Sequence, residues 1–304
     1  MPHTHGQSHD HLQAPIDYSK AFAIGIGLNV SYVAVEAGFG LFAHSLALVA
    51  DAGHNLSDVL SLLLAWGANQ FGQSKPSKRF TYGLRSSSIL ASLANAIILL
   101  IAIGAIAWEA LRRFNQPEQV PGATVMAVAG FGVLINAATA LLFMSGRHRD
   151  LNIKGAFLHM AADAGVSLGV VLAGLAISLT RLYWIDPAMS LVIVAVIAIG
   201  TGGLLRESIR LALQAVPEDV DLEKVENYLA SLPNVTAVHD LHIWPMSTTQ
   251  TALTAHLEMP NGKGGDEFLH QVCKHLHEEF QIEHCTIQIE QDAKACSLAP
   301  ERSA

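Results

Sequence analysis

Six long apolar stretches alternate with short polar connectors between residues 20 and 205. They are Ala21–Ala43, Leu46–Asn69, Ile89–Leu111, Thr124–Ser145, Gly155–Leu179 and Pro187–Leu205. A helix that crosses a bilayer needs about 20 such residues, so each stretch predicts a spanning helix. The connectors SKPSKRFTYGLRSS, RRFNQPEQVPG, GRHRDLNIK and TRLYWID are rich in turn and polar residues. From Pro217 the period changes. DLEKVENYLASL and KGGDEFLHQVCKHLHEEF have helical spacing, whereas TAVHDLHIWPM, TQTALTAHLEM and EHCTIQIEQ alternate as strands do. The expected fold class is an α-helical membrane protein with six transmembrane helices, followed by an α+β domain of order α-β-β-α-β. Its expected parts are a His-rich tail (1–19), a transmembrane domain (20–207), the α+β domain (208–292) and a flexible tail (293–304).

Composition supports the membrane reading. The chain has 304 residues, of which 51% are hydrophobic and 14% charged, against roughly 25% charged in soluble domains. A formal net charge of −8 is not that of a nucleic-acid binder. Basic residues in short loops set orientation. Lys75, Lys78, Arg79 and Arg85 follow the second stretch, Arg147, Arg149 and Lys154 the fourth, and Arg206 and Arg210 the sixth. The opposite side offers Arg112, Arg113 and Arg181. This asymmetry predicts a multi-pass membrane protein with both termini in the cytoplasm. No cleavable signal peptide is visible at the polar, His-rich N-terminus. Cys273, Cys285 and Cys296 form neither a disulfide framework nor a CxxC pair, which fits a reduced cytosolic tail. Cys273 and Cys285 read as small buried hydrophobes.

Charged groups within the second stretch are the anomaly. Asp51, His54 and Asp58 lie at i, i+3 and i+7 on one helical face, where ionised side chains are costly unless compensated. The fifth stretch repeats the pattern with His159 and Asp163 at i, i+4. One HxxxD pair is compatible with a polar contact between helices; two, both in mid-membrane stretches, are hard to assign to packing. Together His54, Asp58, His159 and Asp163 offer two imidazoles and two carboxylates, a set suited to tetrahedral Zn²⁺. Asp51 is either a residue that orients His54 or a cap or hydrogen-bond partner of a neighbouring helix.

Several segments together carry a resemblance: SLALVADAGHNLSD, RFTYGLRSSSILASLANA, NIKGAFLHMAADAGVSLGV, WIDPAMSLVI and VHDLHIWPM…TALTAHLEM…CTIQIE. Over about residues 20 to 290 they resemble the cation diffusion facilitator family of divalent-metal/proton antiporters, in its zinc-transporting, bacterial zinc/cadmium exporter branch. The resemblance implies a six-helix membrane domain, a cytoplasmic α+β domain and a homodimer. It carries the transport-site ligands onto His54, Asp58, His159 and Asp163, and a cytoplasmic regulatory metal site onto His239, His256 and Glu290. A His at the first position of the span-two motif goes with zinc and cadmium preference in the family. The chemistry agrees, since imidazole suits Zn²⁺ and all-oxygen sets suit Mn²⁺ or Mg²⁺, although Co²⁺, Ni²⁺ and Cd²⁺ accept the same donors. One departure is Ser88, which stands where the family's YGxxRxE pattern has Glu. Another is the loop GQSKPSKRFTYG, which lacks the Asp and His of a second metal site found in some members.

The remaining polar groups have plainer readings. Glu36, Asn95 and Asn136 are expected inside the bundle, and Asp186 at its own helix start. His3, His5, His9 and His11 read as weak metal capture, with a solvated tail as the alternative. His242 is expected on the opposite strand face from His239, and His270, Lys274 and His277 on a solvated helix face. The function expected is export of zinc, and cadmium with it, in exchange for protons by alternating access. The expected partners are a second copy of the chain, the bilayer, divalent ions and protons. The alternatives are a membrane metal sensor and an intramembrane zinc enzyme. The second is disfavoured because catalytic zinc keeps an open position.

Overall fold

A backbone in lipid must satisfy its own N–H and C=O groups, and a helix does so within one segment. In a computed structural model of the chain, the apolar stretches form α1 (Ser19–Phe42), α2 (Leu46–Gly72), α3 (Ser87–Asn115), α4 (Gly122–Phe143), α5 (Leu151–Thr180) and α6 (Ile185–Ala212). The structure describes residues 19–72, 76–144, 151–260 and 264–291; the side chains of 19–26, 58, 61–72, 142–143 and 151–156 are outside this description. Among the described residues, the segments Ser87–Asn115, Gly122–Leu141, Phe157–Thr180 and Ile185–Ala212 are long and apolar enough to cross a membrane. Among the described residues, three helices end on a left-handed residue just beyond the last turn: His44 after α1, Arg181 after α5 and Gln214 after α6. Such residues let the next N–H groups bond back to the last carbonyls.

The chain divides into two compact units, residues 1–56 with 110–193, and 57–109 with 194–304. In the first, α4 and α5 approach through glycines. A Cβ placed on Gly174 would lie 2.8 Å from the Met126 amide nitrogen and 2.9 Å from the Gly122 carbonyl oxygen, so only a residue without a side chain permits this spacing. Tyr32 of α1 packs its ring against Phe131 of α4.

Asp186 lies in the first turn of α6, as expected, and its carboxylate also reaches a second helix. Its buried carboxylate accepts from Ser45 Oγ (2.5 Å) and from the backbone amide of Leu46 (2.8 Å). It therefore caps the N-terminus of α2, satisfying donors that a helix start leaves open.

In the second unit the C-terminal domain contains α7 (Leu222–Ala230), β1 (Ala237–Pro245), β2 (Thr251–Glu258), α8 (Asp266–Phe280) and β3 (Ile282–Glu290), the expected α-β-β-α-β order. β1 and β2 are antiparallel, and β3 returns parallel to β2 after the α8 crossover. Val225 and Leu229 of α7, Val272 and Leu276 of α8, and Leu241, Ile243, Leu253, Ala255 and Leu257 of the sheet form one buried core. The helices thus cover one sheet face. Asp221 caps α7 by accepting from the Lys224 amide, and that bond holds its carboxyl below the usual carboxylate range.

Two expectations fail in this domain. Cys273 on α8 and Cys285 on β3 form a disulfide, with Cα atoms 6.0 Å apart, instead of standing as separate apolar residues. Packing of α8 on β3 brings two half-buried thiols, distant by sequence spacing, within bonding range. His242 lies on the same sheet face as His239, not the opposite one. The register pairs His239 with His256 but His242 with Thr254, because an irregularity between His239 and His242 inserts one extra residue. That bulge resets the alternation.

The first connector meets the C-terminal domain within the second unit. Ser88 Oγ accepts from the Thr248 amide (3.0 Å) and donates to the Arg85 carbonyl (3.0 Å). Ser86 Oγ donates to the Met246 carbonyl (3.2 Å), and Tyr82 stands edge-on to the His284 ring. Ser88, which replaces the expected Glu, thus serves as a hydroxyl anchor for the β1–β2 turn.

Candidate metal centres

Helical spacing puts His159 and Asp163 one turn apart on α5, and packing brings α2 to them. His54 Nε2 lies 3.3 Å from Asp163 Oδ1, and His159 Nε2 lies 3.7 Å from Asp163 Oδ2. The Asp163 side chain is only 3% exposed, so a carboxylate buried among helices meets one imidazole on each oxygen. Asp58 follows His54 by one turn on α2; its side chain lies outside the described residues, as do His3, His5, His9 and His11. Two neutral imidazole nitrogens and a carboxylate form a borderline-soft donor set that takes up Zn²⁺ and similar ions and competes with protons for each.

Behind this centre runs a buried polar network. Ser167 Oγ donates to Asp51 Oδ2 (2.9 Å). Tyr32 Oη donates to Glu36 Oε1 (2.6 Å), and Asn55 Nδ2 donates to Glu36 Oε2 (3.3 Å) and to the Asp51 carbonyl (3.1 Å). Ser167 on α5 is thus one hydrogen-bond partner of Asp51. Asn95 and Asn136 are buried as expected. Ser167, Tyr32 and Asn55 do not stand out by hydropathy or charge, although each is four residues from a buried acid: Asp163, Glu36 and Asp51 respectively. That i, i+4 spacing was the available signal.

A second cluster lies on the sheet face away from the helices. His239 on β1, His256 on β2 and Glu290 on β3 bring one ligand atom each within 4.8 Å of one another. His239 Nε2 is 3.1 Å from Glu290 Oε2, and His256 Nδ1 is 3.0 Å from Glu290 Oε1. Glu290 is 8% exposed, and a carboxylate so buried needs compensation. Two imidazoles and one carboxylate from three paired strands fit a divalent ion in donor type and proximity.

The fold and these centres define a multi-pass membrane protein with clustered imidazoles and carboxylates in its helices and in a C-terminal α+β domain. The cation efflux transmembrane domain model matches residues 22–211, and the cation efflux protein cytoplasmic domain model matches 217–292. The chain belongs to the cation efflux family.

It is 33% identical over 286 residues to the cation efflux system protein CzcD of Alcaligenes sp. strain CT14, covering 94% of this chain and 90% of that one. It is 32% identical over 292 residues to the zinc transporter ZitB of Escherichia coli K12, covering 95% and 93%. Against the cadmium, cobalt and zinc/H(+)-K(+) antiporter of Bacillus subtilis 168 it is 31% identical over 280 residues, covering 90% and 89%. Among solved structures, the metal-bound C-terminal domain of the CzcD transporter from Cupriavidus metallidurans is 36% identical, covering 23% of this chain and 99% of that one, with a TM-score of 0.21.

Proposed function

We propose that this chain exports Zn²⁺, and Cd²⁺ by the same donor chemistry, from the cytoplasm in exchange for protons. The observation that carries this reading is Asp163, buried between the imidazoles of His54 and His159. The transported ion is the substrate, held by His54, His159, Asp163 and, one turn beyond His54, Asp58. Loading from the cytoplasm requires neutral imidazoles and ionised carboxylates, so it releases protons. A rigid-body change exposes the loaded site to the far side. Protonation there weakens the ligands and expels the ion. The names of the relatives, a zinc transporter and a cadmium, cobalt and zinc antiporter, support the metal class.

The reading assigns the inner membrane as location, with both termini cytoplasmic, and a homodimer in which the C-terminal domains take part. It divides the chain at residues 19, 207 and 292. The chain catalyses no covalent chemistry, and the N-terminal histidines act at most as weak collectors of metal. His239, His256 and Glu290 would hold a regulatory divalent ion, which would neutralise Glu290 and tie the three strands together.

The test is metal uptake into proteoliposomes under an imposed pH gradient, with Zn²⁺, Cd²⁺, Co²⁺ and Mn²⁺ offered in turn. Zn²⁺ flux that collapses with the gradient is expected. Metal binding without flux would overturn the transport reading in favour of a sensor.

A further inference from the structure

We propose that Asp240 is the positioning residue of the C-terminal metal cluster, holding His256 so that its Nδ1 faces Glu290. The proposal rests on the reading of His239, His256 and Glu290 as a metal site. It concerns a residue outside that set.

The backbone gives the first indication. Among the described residues, six that are not glycine have positive φ: His44, Arg181, Gln214, Asn234, Asp240 and Gln281. Asp240, with φ of 51°, is the one that lies inside a strand. His44, Arg181, Gln214 and Gln281 close helices, where a left-handed residue is ordinary. A left-handed residue within a strand is strained and persists where the surroundings demand it. Here it forms the irregularity between His239 and His242.

The side chain supplies the demand. Asp240 Oδ2 lies 3.5 Å from His256 Nε2, and Asp240 Oδ1 accepts from His242 Nε2 at 2.9 Å. His256 Nδ1, on the other edge of the ring, is 3.0 Å from Glu290 Oε1. The ring thus stands between two carboxylates. A neutral imidazole has one N–H and one lone pair. With Nε2–H directed at Asp240, the lone pair falls on Nδ1, among Glu290 and His239. Ligating histidines are commonly fixed in this way through their other nitrogen. His242 holds the remaining oxygen and thereby the rotamer of the Asp240 carboxylate. The bulge accounts for His239, Asp240 and His242 sharing one side of β1, which regular alternation would forbid.

The test uses the full-length protein in detergent with Asp163→Ala present, so that the helix site is disabled. Zn²⁺ affinity is read by competition with a chromophoric chelator, and Co²⁺ is bound in parallel for its visible spectrum. His256→Ala in this background first shows whether the cluster binds metal; if affinity does not fall, the metal-site reading fails before Asp240 is at issue. Given that fall, Asp240→Gly, which keeps the left-handed backbone and removes the acceptor, is expected to weaken Zn²⁺ binding by about 10- to 100-fold and to alter the Co²⁺ spectrum. Asp240→Asn is expected to restore binding, because its amide oxygen can face His256 while its NH₂ faces a lone pair on His242. Combining Asp240→Gly with His256→Ala should cause no further loss. Unchanged affinity in Asp240→Gly, failure of Asn to rescue, or an additive loss in the double variant would each overturn the proposal.

Discussion

His54 on α2 and Asp163 on α5 face each other with Nε2 3.3 Å from Oδ1, although 109 positions separate them in the chain (163 − 54). Asp163→Ala should therefore remove one ligand and leave two imidazoles without their shared carboxylate. Zn²⁺ flux is expected to fall by on the order of 100-fold or more, beyond the loss usual for an outer-shell change. His54→Asp keeps a ligand but shifts the donor set towards oxygen, so the Mn²⁺-to-Zn²⁺ flux ratio should rise. Radiometal uptake measures both, and an unaltered ratio in His54→Asp would show that His54 does not touch the transported ion.

Asp186→Ala should destabilise the start of α2. It leaves the Leu46 amide and the Ser45 hydroxyl buried without the carboxylate that both bond, a loss of about 2 kcal/mol. Thermal unfolding in detergent reads the effect. A drop smaller than that of an exposed control substitution would contradict the capping role.

Ser88→Ala removes the acceptor for the Thr248 amide, a contact of about 1 kcal/mol. Amide hydrogen exchange should accelerate at Thr248 and the β1–β2 turn while the C-terminal core stays protected. The opposite pattern would mean that Ser88 acts through the helix it starts and not through the turn.

Reduction of Cys273–Cys285, or Cys273→Ser, should lower the stability of the C-terminal domain. The cysteines are 12 residues apart, and closing a loop of that size contributes about 3 kcal/mol through the unfolded chain. The expected result is a lower unfolding midpoint for the domain in dithiothreitol than under oxidising conditions. Mass spectrometry of the protein as isolated from cells would report how much of the pair is oxidised there.

Asp221 introduces a pH dependence of known sign. Its folded carboxyl lies below the ordinary value because it accepts the Lys224 amide. Its contribution is present above the unfolded carboxylate pKa near 3.9 and is lost as pH falls through the depressed folded value. Asp221→Asn should unfold at a lower temperature than the parent at neutral pH, and the two should converge as the pH drops below about 3.9. A difference that persists into strong acid would assign the effect to something other than the charge.

Much of this protein is determined along the chain itself. Membrane helices are legible because lipid forces every backbone group to bond locally, so hydropathy alone marks where they run. The α-β-β-α-β domain is legible because its periods of 3.6 and 2 are local properties. His54, His159 and Asp163 were identifiable because charge in an apolar helix is costly and therefore informative. Tertiary structure decided which of these groups meet. It made Asp186 the cap of another helix, paired Cys273 with Cys285, and turned Ser88 into an anchor for a distant turn. It also moved His242 across the sheet through one left-handed residue at Asp240. These relationships depend on contacts between segments far apart in sequence, and one inserted residue in a strand reverses every side-chain direction beyond it.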